Sequence, residues 1–164
     1  MGRIEDLGAF NAAHDAGFAK LLPSVPRIAV GMGTCGTGNG AEATYHAFAD
    51  IIERRGLSVR LTQTGCFGFC AEEPLVNVWI PGKAVVILRH VQARDAARIL
   101  DEVTIGNVPF DMALCQIEEW DHVTSNVKYG TAHVGIPQWN EVPFFQGQKR
   151  IVLRNCGLIR SDRS

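Results

Sequence analysis

Residues 75–88 read LVNVWIPGKAVVIL. Two apolar runs, Leu75 to Ile80 and Ala84 to Leu88, flank Pro81-Gly82. Proline pre-sets the backbone for position i+1 of a type II turn, and glycine accepts the positive φ of position i+2. The spacing therefore predicts an antiparallel hairpin. A chain that reverses here cannot make the parallel crossover that the next unit of a dinucleotide-binding sheet needs.

Working outward, Ile28-Ala29-Val30 reads as a short strand that runs into a glycine-dense loop, Gly31 to Gly40. A helix follows at once, with Ala41, Tyr45, Phe48, Ile51 and Ile52 on one face and Gly56 where a C-cap belongs. Leu57, Val59 and Leu61 alternate with polar residues as in a half-buried strand. After the hairpin, Val91 to Val103 closes the unit as a helix, with Ala93, Ala96, Ala97 and Leu100 on one face. Upstream, Ile4 to Leu22 predicts a loosely amphipathic helix broken near Gly17 and ended by Pro23. One βαβ half followed by a hairpin and a packing helix is a thioredoxin-like arrangement. The expected fold is α/β, with a mixed four-stranded sheet, flanking helices and an irregular C-terminal extension.

The expected divisions are a lead-in over 1–26, a thioredoxin-like unit over 27–103, and a connector over 104–164. From Thr104 onward prolines, polar residues and scattered aromatics occur without sustained period, and only Lys149 to Leu153 has the look of a strand. A structureless stretch of this length is uncommon inside a compact domain, so it is expected to pack on something else. On that expectation the isolated chain exposes Phe110, Trp120, Trp139, Phe144 and Phe145.

Apolar residues make up 46% of the 164 and charged residues 20%, which excludes disorder throughout. Sixteen basic residues against seventeen acidic ones leave no basic footprint for nucleic acid. No apolar run reaches the roughly 18 residues of a membrane span, and the charged N-terminus does not look like an export signal. A cytoplasmic location is expected. Five cysteines in such a chain ask for a metal, redox or core role rather than a disulfide framework.

Cys66 and Cys70 form C-x3-C on the loop between two strands, and Cys35 sits on the loop after the first strand. Both loops are expected at one edge of the sheet, so three thiolates could converge there. Iron–sulfur clusters take thiolate ligands, typically four, and nearby glycines let backbone N–H groups reach the sulfurs. Gly33, Gly36, Gly65 and Gly68 suit that task. The fourth ligand has no candidate at C-x4-C spacing from Cys35, since residues 30 and 40 are Val30 and Gly40. Cys115 and Cys156 lie in the connector. A zinc site with a histidine fits structural zinc spacings poorly, and C-x3-C is not the thioredoxin redox pair. Each cysteine could also be a small buried hydrophobe.

Gly31-Met-Gly-Thr-Cys-Gly36 matches G-x-G-x-x-G, yet the next strand ends at Thr64 without an acid to hold a ribose. The five histidines, His14, His46, His90, His122 and His133, make no spacing pair. Glu72-Glu73 and Glu118-Glu119 read as solvated acidic pairs. No catalytic constellation stands out. The residues point to an electron carrier or, alternatively, a cluster-free docking domain that binds a partner subunit. A small-molecule binder using the Gly31 to Gly40 loop is a third, more distant option.

Arg27-Ile-Ala-Val-Gly-Met-Gly-Thr-Cys-Gly36, Thr64-Gly-Cys-Phe-Gly-Phe-Cys70 and Glu73-Pro-Leu-Val-Asn-Val78 resemble the thioredoxin-like [2Fe-2S] ferredoxin domain at the N-terminus of the flavoprotein subunit of NADH dehydrogenases and of electron-bifurcating hydrogenase beta subunits. Val142 to Ile159 resembles the opening of the flavoprotein core itself. The resemblance implies an electron-transfer component of an NADH-linked oxidoreductase, with a [2Fe-2S] cluster on Cys35, Cys66 and Cys70 and other subunits of a redox complex as partners. FMN, NAD and a [4Fe-4S] cluster are expected only in the rest of that core, before which the sequence stops at Ser164.

Overall fold

In the computed structural model, which describes residues 6–121 and 126–159, the elements run in this order. Helix α1 (Leu7–Leu21) precedes strand β1 (Arg27–Gly31), a short helix α2 (Thr34–Gly38) and helix α3 (Ala41–Arg55). Strands β2 (Arg60–Thr64), β3 (Val76–Trp79), β4 (Gly82–Lys83) and β5 (Val85–Leu88) follow, then helix α4 (Ala96–Thr104). The chain continues through β6 (Ala113–Ile117), β7 (Glu119–Asp121), β8 (Asn126–Lys128) and β9 (Gly130–Thr131).

The main sheet has the order β2-β1-β3-β5-β6. β1 and β2 are parallel, with Gly31 opposite Thr64, and every other neighbouring pair is antiparallel. The hairpin turns as its sequence predicts. Gly82 has φ +79°, and the Lys83 N–H donates to the Ile80 carbonyl at 2.9 Å. Gly56 caps α3 in the left-handed conformation, donating to the Ile52 and Glu53 carbonyls.

One face of the sheet packs under α3 and α4. Ile28, Val30, Val76, Val78, Val86 and Leu88 meet Phe48 and Ile51 of α3 and Ile99, Leu100 and Val103 of α4. The opposite face is covered by the segment after residue 113. Trp120, Tyr129, Phe145 and Leu158 close over Leu75, Trp79, Val85 and Ile87.

The sheet therefore has five strands rather than the expected four, because β6 pairs with β5 across a bulge between Ile87 and Leu88. The stretch beyond Thr104 supplies both that strand and half of the core. Trp120 and Phe145 are buried by it, whereas Phe110 and Phe144 stay exposed and Trp139 packs partly against the cluster. Residues 151–155 form a bend and turns, and no strand covers Lys149 to Leu153. Gly17 does not break α1, which runs continuously from its Asp6 cap. A helical glycine costs only about 1 kcal/mol relative to alanine. Ile4 and His122 lie outside the described residues.

Candidate metal centre

The parallel pairing of β1 and β2 builds the site. Because Gly31 stands opposite Thr64, the chain leaves both strands at one edge of the sheet. The Gly31 N–H donates to the Leu75 carbonyl and the Met32 N–H to the Thr64 carbonyl, at 2.9 and 2.8 Å, which ties the two loop roots together. Cys35 follows on α2, Cys66 on the loop after β2, and Cys70 opens a single 3-10 turn, Cys70–Glu72. A methyl group on Gly33 would lie 2.7 Å from the Cys66 β-carbon, so only glycine lets the loops come this close.

These contacts bring the Cys35 and Cys66 loops together at the sheet edge that also carries Cys70, whose charge acts on both the Cys35 and the Cys66 thiol. The Gly68 N–H, on a residue with φ +95°, donates to Cys66 Sγ at 3.2 Å. Cys35 and Cys70 are exposed, while Cys66 is half-buried.

Glu73 completes the pocket. It is 5% exposed, not solvated as its pairing with Glu72 suggests. Glu72 is the outward member, and it meets Arg89 and His90 at 3.4 and 3.0 Å. Glu73 Oε2 accepts from the Leu75 N–H at 2.7 Å, and the Cys66 thiol donates to Oε1 at 3.8 Å. Sequence reasoning missed this residue. The available signal was its position three residues after Cys70, one tight turn along the chain.

The electrostatics raise Cys35, Cys66 and Glu73 alike. Burial pushes the Cys66 thiol up to about 11, opposed by the Gly68 N–H and reinforced by the Glu73 charge. Cys35 is raised by its hydrogen bond to Cys70 first, then by the Cys70 charge, burial and Glu73. Burial lifts Glu73 above the usual carboxylate range, against the Leu75 N–H and the Cys66 thiol. Such thiols are poor nucleophiles at neutral pH. A cation would reverse each of these shifts.

Among the described residues no group of three or more His, Cys, Asp or Glu surrounds one point as a single ion would need. A two-iron cluster makes a different demand, because its ligands are shared between two metals. Thiols at one sheet edge, a backbone donor to sulfur and a close-approach glycine all fit that demand.

The other two cysteines differ in their distance from this edge. Cys115 is fully buried in β6 beside Ile87, and burial alone pushes its thiol up to about 12. Cys156 lies in the C-terminal turn that crosses the Cys66 loop. There Thr64 Oγ1 and the Gly65 N–H donate to the Ile159 carbonyl, and Asn77 Nδ2 donates to the Gly157 carbonyl.

No protein-family model matches the chain. Over 85 residues, 51% of its length, it is 28% identical to the NADP-reducing hydrogenase subunit HndB of Solidesulfovibrio fructosivorans and covers 68% of that subunit. Its fold is similar to that of a thioredoxin-like [2Fe-2S] ferredoxin from Aquifex aeolicus, with a TM-score of 0.50 and 18% identity. That match covers 57% of this chain and 93% of the ferredoxin. The chain has the fold of the thioredoxin-like ferredoxins and is related in sequence to a hydrogenase subunit.

Proposed function

We propose that Cys35, Cys66 and Cys70 hold a [2Fe-2S] cluster and that the chain relays single electrons within a multi-subunit oxidoreductase of the hydrogenase or NADH dehydrogenase type. The reading rests on one observation above the others: the Cys35 and Cys66 loops leave the parallel β1–β2 pair at one sheet edge, where only glycine at position 33 lets them come so close. A [2Fe-2S] cluster supplies one-electron chemistry. The chain's part is placement and tuning. The parallel strand pair fixes the loop roots, and the Gly68 N–H spreads the charge on Cys66 Sγ. On this reading residues 27–103 carry the site, the protein works in the cytoplasm, and FMN, NAD and a [4Fe-4S] cluster belong to a flavin-bearing partner or core. The similarity to a hydrogenase subunit supports such an assembly.

Iron and acid-labile sulfide on anaerobically purified protein, with EPR after dithionite, test the reading. About two irons and two sulfides per chain with a reduced [2Fe-2S] signal are expected. Cys66→Ser should abolish the visible absorption, and unchanged iron content in that variant would sink the assignment.

A second reading, a cluster-free docking domain, is favoured by three consecutive apolar side chains in the open, Ile151, Val152 and Leu153. It expects a folded, iron-free chain whose partner binding survives Cys66→Ser and fails on Val152→Asp.

A further inference from the structure

Three cysteines leave a two-iron cluster one ligand short of the usual four. Of the remaining cysteines, Cys115 is enclosed by apolar residues in β6. Cys156 shares a neighbour with Cys66, since the charges of both act on Arg150, but among the described residues no hydrogen bond links its thiol to Cys35, Cys66 or Cys70. Its backbone carbonyl is engaged by Arg150 at 3.2 Å.

The carboxylate of Glu73 is already in the pocket. The 3-10 turn that starts at Cys70 closes with the Glu73 N–H donating to the Cys70 carbonyl, which sets the two side chains at one end of the loop. Oε2 is held by the Leu75 N–H, and it lies 3.1 Å from where a methyl group on Gly36 would stand and 3.6 Å from one on Gly31. The carboxylate thus fills the cleft between the Cys35 loop and the Cys66 loop. Oε1 is turned toward Cys66 Sγ.

Among the described residues no lysine, arginine or histidine forms an ion pair with Glu73. A carboxylate buried without a cation is expensive. Iron beside Oε1 would supply that cation. Gly31 and Gly36 keep the cleft wide enough for the acid, since a β-carbon on Gly36 would also strike the Gly31 carbonyl at 2.5 Å.

We propose that Glu73 is the fourth ligand and binds iron through Oε1, giving a centre held by three thiolates and one carboxylate. This rests on the cluster reading above. Binding releases the protons of the three thiols, the carboxylate binds as the anion, and no electron is exchanged in assembly from ferric iron and sulfide. Carboxylate oxygen is a harder ligand than thiolate sulfur. The two irons are therefore inequivalent, one with two sulfur ligands from the protein and one with a sulfur and an oxygen.

The test uses the full chain, reconstituted anaerobically with iron and sulfide, as wild type, Glu73→Ala, Glu73→Cys and Cys156→Ser. Circular dichroism checks each fold. Iron and sulfide content, 57Fe Mössbauer spectra and EPR of the reduced protein are the readouts. Wild type is expected to hold about two irons in two unequal quadrupole doublets. Glu73→Ala should lose most of its iron. Glu73→Cys should keep it, with the doublets drawn together and the EPR g values moved, and Cys156→Ser should match wild type. A Glu73→Ala protein with wild-type iron and spectra overturns the inference and leaves the cluster reading standing. So does a Cys156→Ser protein that alone loses its iron. Should Glu73→Ala fail to fold, an unaltered spectrum in Glu73→Cys is the overturning result. A wild type that takes up no iron overturns both readings.

Discussion

Gly157 is seated on Phe67. A methyl group at its α-carbon would fall 2.5 Å from Phe67 Cα, and its φ is +82°. The C-terminal turn thus braces the loop that carries Cys66, and only a residue without a side chain can do so.

That contact separates two glycines of similar backbone. Gly147 has φ +78° but open space around its α-carbon. Gly147→Ala should cost about 1 kcal/mol, the penalty of the left-handed conformation alone. Gly157→Ala should cost about 1–3 kcal/mol more, because a backbone atom must shift. Urea unfolding of the two variants measures the difference, and equal losses would contradict the seating of Gly157 on Phe67.

Removing the segment after Val103 should prevent folding. Its loss uncovers Trp79, Val85 and Ile87 and frees the edge of β5 for pairing with other chains. A fragment ending at Val103 should aggregate or bind a hydrophobic dye without a cooperative thermal transition. The full chain should resist trace protease between Thr104 and Ala113 until it unfolds globally. A soluble, cooperatively folding fragment would contradict this account.

Cys115 introduces an alkaline limit. Its thiol titrates near 9.0 when solvated and is pushed up to about 12 by burial. Between those values the native state holds a proton that the unfolded state has lost. Stability from this group is complete below pH 9 and falls as pH rises toward 12, by up to about 1.4 kcal/mol per pH unit. Cys115→Ala should flatten that part of the stability–pH curve relative to wild type, as read by chemical denaturation across the alkaline range. Parallel curves would refute it.

Arg150 should tune the proposed centre. Its guanidinium carbon lies 4.4 Å from the Phe67 ring centroid, and the charges of Cys156 and then Cys66 act on it. A reduced cluster carries one more negative charge, so Arg150→Met should lower its midpoint potential. By Coulomb's law at an effective dielectric near 20 the loss is on the order of 1 kcal/mol of electron affinity. EPR-monitored redox titration of the loaded protein decides it, and an unmoved potential would place the charge outside the field of the centre.

What the sequence made legible was local. Pro81-Gly82, the cap at Gly56 and the face of α3 each follow from short-range chemistry, and the convergence of the Cys35 and Cys66 loops follows once β1 and β2 are parallel. β6 was hidden because its strand character comes from its neighbour. Gln116 looks like a surface residue in the sequence, yet it is buried. Its amide donates to the His133 and Ile136 carbonyls and accepts from the His133 N–H. Partners 17 and 20 residues away leave no local mark. Glu73 was misread for the same reason, since burial of a charged side chain depends on what closes over it. Lys149 to Leu153 erred in the other direction, with β-forming residues but, among the described residues, no strand beside them to pair with.

The placement of the three cysteines makes the pocket directional. Cys35 and Cys70 lie open, whereas Cys66 is backed by its own loop and by the C-terminal turn from Cys156 to Ile159. Electron tunnelling weakens steeply with distance. Any redox group held there would trade charge almost wholly through the Cys35–Cys70 rim, with the braced side acting as an insulator. On the cluster reading, a partner's redox group would have to come to that rim.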